Sequence, residues 1–335
     1  MKEAYLYKKL KDNTVRCDLC NHRCVIADGE KGKCAVRKNH KGTLTSLVYD
    51  KVISLNIDPI EKKPLFHFLP GTKSLSLATP GCNFKCFFCQ NWQISQMPCD
   101  YEIIDGRKIP PETIVSEAIA GGCKSISYTY TEPTVYFELA YDTAKLAHGK
   151  NIKNVFVTNG FMTGDCIEMI GPYLDAANID LKSFSVDFYR EKIGGRIKPV
   201  MDNIKHMHKL GVWIEITTLL IPGLNDSDKE LEGIAGFLSG ISNAIPWHIS
   251  AYYPNYKSVI EPTGINSIVR ACSIGKNAGL KYVYGGNTGS NCLENTICPE
   301  CGKTVLQRSS FYVSGSKIIN GRCGYCSKEI DGVFE

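Results

Sequence analysis

The sequence lacks the features that would place it in a membrane or outside the cell. No run of apolar residues approaches the ~18 that a membrane-spanning helix needs. The first residues mix charge into every turn and form no signal-peptide stretch, so we expect a cytoplasmic protein. Low-complexity segments are absent, and a composition of 43% hydrophobic and 22% charged residues excludes a disordered or fibrous chain.

Charge of one sign is also scarce in this chain. Lys and Arg total 39 and Asp and Glu total 34, which leaves a formal net charge of +5 over 335 residues. An excess this small is weak evidence for nucleic-acid binding, so we expect neither a nucleic-acid partner nor a membrane partner.

Cysteine, by contrast, is abundant, with 16 residues. In a cytosolic chain of this size, cysteines indicate metal or redox chemistry rather than disulfides. Most of them fall into three clusters, and a lone cysteine is usually a small buried apolar residue. The clusters are Cys17, Cys20, Cys24 and Cys34, then Cys82, Cys86 and Cys89, then Cys298, Cys301, Cys323 and Cys326, and the lone residues are Cys99, Cys123, Cys166, Cys272 and Cys292.

Strand-like and helix-like segments alternate through the middle of the chain. This alternation predicts an α/β fold with a mainly parallel sheet. Six β/α units are too few for a complete eight-fold barrel, so we expect a partial (β/α)6 TIM-type barrel. The predicted strands are 74–78, 125–130, 154–158, 176–181, 213–220 and 247–252, and the predicted helices are 111–120, 133–148, 165–172, 199–210, 226–238 and 266–278.

The two ends of the chain differ from this core. Residues 1–42, which we call the head, are polar and cysteine-rich. Because this segment has too few apolar residues to form a core alone, we expect a bound metal to stabilise it. Residues 295–335, the tail, carry two Cys-x2-Cys pairs and short β-prone runs, as in a zinc ribbon. We therefore predict three domains, at 1–42, 43–294 and 295–335.

The central cluster has the spacing C-x3-C-x2-C and directly follows the first predicted strand. Active sites of parallel β/α folds lie at the carboxyl ends of the strands. Three thiolates can bind three irons of a [4Fe–4S] cube and leave the fourth iron open to a small molecule, whereas a closed four-thiolate cluster mainly transfers electrons. Zinc or structural thiols are the alternative.

This loop, with aromatic Phe88 directly before the last cysteine, resembles the signature of radical S-adenosylmethionine (SAM) enzymes. Almost the whole chain is similar to a narrower family, the radical SAM protein of the AmmeMemoRadiSam system, which is related to pyruvate formate-lyase-activating enzymes. The segments that carry this likeness are IDPIEKKPLFHFLPG, YTYTEPT, VTNGF, NIDLKSF, LIPGLND and YVYGGN. The resemblance implies a partial TIM barrel with one [4Fe–4S] cluster and one SAM at its mouth.

The resemblance also implies roles for single residues. Cys82, Cys86 and Cys89 would hold the cluster as the catalytic group, and Phe88 would lie near the adenine of SAM. Glu132 would bind the methionyl amino group, although this sequence departs there from the commoner Gly-Gly-Glu. The alternative for Glu132 is an acid at a helix N-terminus.

Two further strand ends resemble SAM-binding segments. Thr158 and Asn159 end the third predicted strand and would contact SAM. Asp180 and Lys182 lie two residues apart, so they share one face of the fourth strand and would also point at SAM. A buried ion pair that serves the structure alone is the alternative for these two.

Other candidates are open to two interpretations. His67 and His248 are more typical of hydrogen-bonded packing residues than of site residues. Tyr252, Tyr253 and Tyr256 would either line a substrate cavity or cover one end of the barrel.

The two flanking clusters point to further metals. The tail pairs, separated by 21 residues, suit structural zinc on facing hairpins, with mononuclear iron as the main competitor. The head spacing C-x2-C-x3-C-x9-C is less regular and suits zinc or a second iron–sulfur cluster, with His22 as a further candidate ligand. Disulfides are the alternative for the head.

The activity that the resemblance implies is reductive cleavage of SAM to a 5′-deoxyadenosyl radical, which abstracts hydrogen from a substrate. A low-potential electron donor, flavodoxin or ferredoxin, is implied as a partner. The substrate is unidentified, and a protein is one candidate. Activation of a glycyl-radical enzyme is the alternative function, and a non-catalytic zinc or iron–sulfur protein or an electron carrier is more remote.

Overall fold

The computed structural model describes residues 1–289 and 293–335. Its centre is an eight-stranded sheet in which seven neighbouring strands run parallel and the eighth pairs antiparallel at one edge. Among the described residues no ladder joins the two edges, so the barrel is partial. From one edge to the other the strands are Val283–Gly286, Trp247–Ala251, Trp213–Leu220, Ala176–Asp180, Lys153–Thr158, Ser125–Tyr128, Lys73–Ala78 and Ser54–Pro59.

Helices connect the parallel strands, and their apolar faces are buried. Ser227 and Thr163 begin two of them by accepting hydrogen bonds from backbone N–H groups of the first turn. None of the helices in the described residues is both long and apolar enough to cross a membrane. The α-helices are Trp92–Ser95, Met97–Asp100, Pro111–Ala120, Phe137–His148, Gly164–Ile170, Ile197–Lys209, Asp228–Ser239 and Ile265–Asn277, and the tighter or wider turns are Ile60–Lys62, Pro133–Tyr136, Gly171–Tyr173 and Phe188–Lys192.

The predicted α/β architecture is confirmed, and the six predicted strands and six predicted helices are present, most of them with ends shifted by a few residues. The sheet also has a seventh parallel strand, Val283–Gly286, which the sequence analysis missed because two of its four residues are glycines. The strand Ser54–Pro59 joins the same sheet in the antiparallel direction. Its pairing partner is not readable from local sequence.

Small antiparallel sheets form both ends of the chain. The head shares one hydrophobic core with the barrel, whereas the cysteine-bearing part of the tail packs around a separate cluster that includes Phe66 and Tyr284. The remaining strands are Lys2–Glu3, Tyr7–Lys9, Val15–Cys17, Val25–Ile26, Arg37–His40, Thr43–Ser46, Lys51–Val52, Arg107–Lys108, Thr296–Ile297, Thr304–Ser309, Tyr312–Ser316, Ile318–Ile319 and Arg322–Cys323.

One buried carboxylate fastens the Pro-rich loop 60–72 to the sheet. Glu215 accepts hydrogen bonds from the backbone N–H groups of Phe66 at 2.9 Å and His67 at 2.8 Å. It also accepts from Trp213 Nε1 at 3.0 Å and His248 Nε2 at 2.6 Å. Burial opposes ionisation, but these donors outweigh it and hold the pKa of Glu215 below its usual value. Glu215 is therefore one of the main side chains that hold this loop in place.

We expect Glu215→Ala to lower the free energy of unfolding by roughly 3 kcal/mol or more, because several buried donors lose their acceptor together. Urea denaturation followed by circular dichroism measures the change. The matched control is Glu168→Ala, whose carboxylate is 62% exposed and pairs with His206, so its loss should cost less than about 1 kcal/mol. Equal losses in the two variants would contradict the role given to Glu215.

Candidate functional site

The carboxyl ends of the parallel strands surround an open cavity of about 400 Å³. Because neighbouring parallel strands end at the same edge, residues far apart in the chain meet there. The structure brings all nine residues predicted for the cluster and SAM onto the wall of this one cavity. They are Cys82, Cys86, Phe88, Cys89, Glu132, Thr158, Asn159, Asp180 and Lys182.

The cysteine loop, residues 81–91, approaches the head closely. Gly81 has a φ of +108°, and a Cβ on it would lie 2.8 Å from Val36 Cγ1. A residue with a side chain would meet both backbone strain and this contact. Glycine therefore allows the cysteine loop to pack directly against the head.

Backbone and side-chain groups surround the three thiols. The N–H of Phe84 donates to Cys82 Sγ at 3.4 Å, and Cys89 Sγ lies 3.2 Å from Ser95 Oγ. Cys86 is buried, while Cys82 and Cys89 are partly buried. The thiols are thus held at the cavity wall and within reach of donors.

Glu132 is almost fully buried and ties the second strand end to the third. Its carboxylate accepts from Thr134 N at 3.1 Å, Thr158 Oγ1 at 2.8 Å and Asn159 N at 2.8 Å. Burial raises the pKa of Glu132, and these donors oppose the rise. Glu132 caps the turn Pro133–Tyr136 and also lies on the cavity wall, so both of its sequence-based interpretations have a structural counterpart.

Asp180 and Lys182 form an ion pair at the end of the fourth strand, with Lys182 Nζ 2.9 Å from Asp180 Oδ2. Burial opposes the charge of Lys182, but Asp180 raises its pKa above the ordinary value. Burial raises the pKa of the Cys86 thiol to about 12, and the positive charge of Lys182 opposes that rise. Lys182 therefore brings a stable positive charge to the thiol cluster.

Several residues in or beside this cavity were missed from the sequence. Asn159 Nδ2 donates to Asn83 Oδ1 at 2.7 Å, and Asn91 Nδ2 donates to the carbonyl of Tyr130 at 2.9 Å. Both Asn83 and Asn91 lie in the segment GCNFKCFFCQN. Their position next to the cysteines in the sequence could have indicated that they belong to the site. Tyr130 lines the cavity from the strand end before Glu132.

The two candidate histidines have structural partners. His67 donates from Nδ1 to the carbonyl of Asp331 at 2.6 Å and accepts at Nε2 from Tyr284 Oη at 2.6 Å. Burial lowers the pKa of His67 to about 4, which keeps the ring neutral. His248 donates from Nε2 to the carboxylate of Glu215 and lines a second cavity.

The three candidate tyrosines lie within the described residues but do not line the first cavity. Tyr252 is buried and bonds Ser258, Tyr253 is largely exposed, and Tyr256 bonds Asp100. Of the lone cysteines, Cys123, Cys166 and Cys272 are buried and Cys99 is partly buried, while Cys292 lies outside the described residues.

The second cavity, of about 480 Å³, shares Thr217 and Ser250 with the first. Its wall includes Glu61 and Glu294, each with one buried carboxylate oxygen that has no hydrogen-bond partner within the described ranges. Burial raises the pKa of both carboxyl groups. Phe311 of the tail also lines this cavity.

The tail cysteines form a compact group. Their four sulfurs lie within 4.8 Å of one another, and the pairs Cys298–Cys326 and Cys301–Cys323 are both separated by 3.7 Å. Metal–sulfur bonds of ~2.3 Å in a tetrahedron require sulfurs ~3.8 Å apart, which is close to the separation within these two pairs. The tail thus presents a group that could hold one metal ion.

Comparison with known proteins assigns the family. The model of the radical SAM superfamily matches residues 76–235. Uncharacterized protein MJ0808 of Methanocaldococcus jannaschii is 44% identical over 100% of both chains. This chain belongs to the radical SAM superfamily. The family resemblance predicted from the cysteine loop is therefore confirmed, and members of this superfamily are enzymes that use SAM and a [4Fe–4S] cluster.

Other radical SAM relatives are more distant. The pyruvate formate-lyase-activating enzyme of Clostridium pasteurianum is 22% identical over 53% of this chain and 76% of its own. The crystal structure of a radical SAM methyltransferase from Sphaerobacter thermophilus superposes on 71% of each chain with a TM-score of 0.53 and 17% identity. That likeness concerns the fold alone.

We expect Gly160→Ala to disturb the cavity wall and lower the free energy of unfolding by about 1–3 kcal/mol, since overpacking and backbone strain add. Gly160 has a φ of +68°, and its Cβ would lie 2.8 Å from Ile179 Cγ2. The matched control is Gly164→Ala, where nothing lies within 4 Å of the new Cβ. Thermal denaturation of both variants tests this, and a Gly160→Ala protein as stable as the control would refute it.

Proposed function

We propose that this chain reductively cleaves SAM at a [4Fe–4S] cluster held by Cys82, Cys86 and Cys89 and abstracts hydrogen from a substrate in the adjoining cavity. The observation that supports this most directly is the convergence of three thiols, an acid and an ion pair on one cavity wall. When bound, such a cluster supplies one electron to the sulfonium of SAM, which separates into methionine and a 5′-deoxyadenosyl radical.

The donor set suits this cofactor. Three thiols from one loop are too few for a closed cluster and leave one iron for a small ligand. The thiolate rather than the thiol binds metal. Because burial raises the pKa of Cys86 to about 12, iron has to displace its proton, and the Lys182 ammonium favours the thiolate that results. The charge of the ion pair thereby supports the loaded site.

The polar wall orients SAM in this proposal. Glu132 offers a buried acceptor for the methionyl ammonium, and Thr158 and Asn159 hold that carboxylate in place. Phe88 is buried at the same wall and presents an aromatic ring to the adenine. Asp180 sets the position of Lys182 and completes the binding surface.

The second cavity is the proposed substrate chamber, since it adjoins the SAM cavity and shares the wall residues Thr217 and Ser250 with it. Glu61 and Glu294 each have one carboxylate oxygen without a hydrogen-bond partner in the described part of the chain. These two oxygens are acceptors for a substrate with hydrogen-bond donors or positive charge.

Activation of a glycyl-radical enzyme is the second candidate, and the likeness to the activating enzyme of Clostridium pasteurianum supports it. In this case the substrate is a backbone glycine of a partner protein. In both cases a low-potential donor, flavodoxin or ferredoxin, supplies the electron. A glycyl-radical signal that appears in an added partner by electron paramagnetic resonance (EPR) would favour activation.

We expect the anaerobically reconstituted and reduced protein to convert SAM to 5′-deoxyadenosine, and Cys86→Ala to reduce this to the background without enzyme. Chromatography of the nucleosides measures it. The matched control is Cys99→Ala, which removes a thiol that lies outside the site wall. Brown protein without cleavage would indicate an electron carrier, and colourless protein with zinc alone a binding module, and both outcomes contradict the proposal.

We propose that the tail binds one structural zinc. Purified protein should contain zinc that Cys326→Ser lowers strongly, because three remaining thiolates leave the tetrahedron incomplete. The control Cys272→Ser changes a cysteine in a core helix and should leave the zinc content unchanged. Inductively coupled plasma mass spectrometry measures the metal, and iron in place of zinc would contradict this assignment.

A further inference from the structure

The four cysteines of the head line one small cavity of about 20 Å³. They come from separate turns and strands, yet all four side chains line the same space. The remaining wall combines the apolar residues Leu19, Ile26 and Val135 with polar and charged residues. The head cysteines are thus a built site rather than scattered packing residues.

The head site differs from the tail site in its spacing. In the tail all four sulfurs lie within 4.8 Å of one another, whereas no three ligand atoms of the described head residues reach that spacing. Thiolates on separate corners of an iron–sulfur cube stand farther apart than thiolates around a single ion, because the width of the cube lies between them. The wider head site therefore favours a cluster over zinc.

A buried cation with unused donors faces this cavity. Arg37 is 2% exposed and lines the cavity, and its Nη2 pairs with the buried carboxylate of Glu138. Its Nε and Nη1 have no hydrogen-bond partner among the described residues. Because buried hydrogen-bond donors are normally paired, we expect Nε and Nη1 of Arg37 to bond to an acceptor bound in the cavity. Thiolate and sulfide sulfurs of an anionic cluster would serve.

The head site shares a wall with the SAM site. Asn83 directly follows Cys82 and lines the head cavity, and its carbonyl accepts from His22 Nε2 at 2.7 Å. The carbonyl of Cys34 lies 3.6 Å from the position of a Cβ on Gly81. The two sites are joined through the cysteine loop itself.

The head also offers an entry from the surface. Cys20 and Cys24 are partly exposed, and the exposed Lys33 lines the same cavity. An acidic electron-transfer protein could approach this basic rim by charge complementarity.

We infer that the head binds a second iron–sulfur cluster through Cys17, Cys20, Cys24 and Cys34 and that this cluster relays electrons to the SAM site. A closed four-thiolate cluster transfers electrons and has no iron open to substrate. A reduced low-potential protein donor loses one electron, the head cluster takes it up, and its reoxidation reduces the cluster at Cys82, Cys86 and Cys89 by one electron. This inference goes beyond SAM cleavage, which needs only the cluster at Cys82, Cys86 and Cys89.

The binding test uses the variant Cys86→Ala/Cys89→Ala, in which the head is intact. After anaerobic reconstitution with ferrous iron and sulfide, it should retain half of the wild-type iron and show a reduced-cluster EPR signal that SAM does not alter. The reciprocal variant Cys20→Ser/Cys24→Ser should lose the other half of the iron and keep the SAM-responsive signal. Cys99→Ser is the control and should keep all the iron.

The relay test compares two reductants on Cys20→Ser/Cys24→Ser. Reduced flavodoxin should reduce the SAM-site cluster at least tenfold more slowly than in wild type, while dithionite should act at an unchanged rate. A Cys86→Ala/Cys89→Ala protein without iron, or with zinc beyond the single ion expected in the tail, would overturn the head cluster, and equal rates with flavodoxin would overturn the relay. Failure of the proposed function would give a different result. In that case the EPR signal of Cys20→Ser/Cys24→Ser would not respond to SAM.

Discussion

The shared direction of seven neighbouring strands is the constraint on which the site depends. Parallel pairing requires each strand to be followed by a crossover, so every carboxyl end lies at the same edge of the sheet. The cysteine loop, Glu132, Thr158 and the pair Asp180–Lys182 each follow or end a different strand. Reversing one strand would move its contribution to the opposite edge and remove it from the cavity.

Buried charges join the parts of the molecule that surround this edge. Arg37 of the head pairs with Glu138 of a barrel helix, and Glu215 inside the barrel holds the loop that carries Phe66 and His67. An unpaired charge in such surroundings is costly, so each partner strongly favours the arrangement in which both are satisfied. The head, the Pro-rich loop and the barrel are therefore coupled through specific pairs as well as through apolar packing.

Much of this arrangement was readable from local sequence. The C-x3-C-x2-C loop after a strand identified the first wall of the cavity, and the alternation of strands and helices predicted the sheet. The strand Val283–Gly286 escaped prediction because its glycines weaken the pattern, and the second cavity escaped because Glu61 and Glu294 are more than two hundred residues apart. Local periodicity carries no record of which distant segments a closing sheet brings together.

Sequence alone determined the chemistry available to this protein. It specified three sets of thiols, their spacing, and the acids and the lysine that end the strands, because ligand type and strand position are local properties. Only the tertiary structure decided how those groups are used. It placed three of the thiols, two acids and the lysine around one cavity, gathered the tail sulfurs close enough to hold one ion, and set the head thiols around a separate small cavity beside Arg37. Distances between residues remote in the chain follow from packing and strand order, which no short segment encodes.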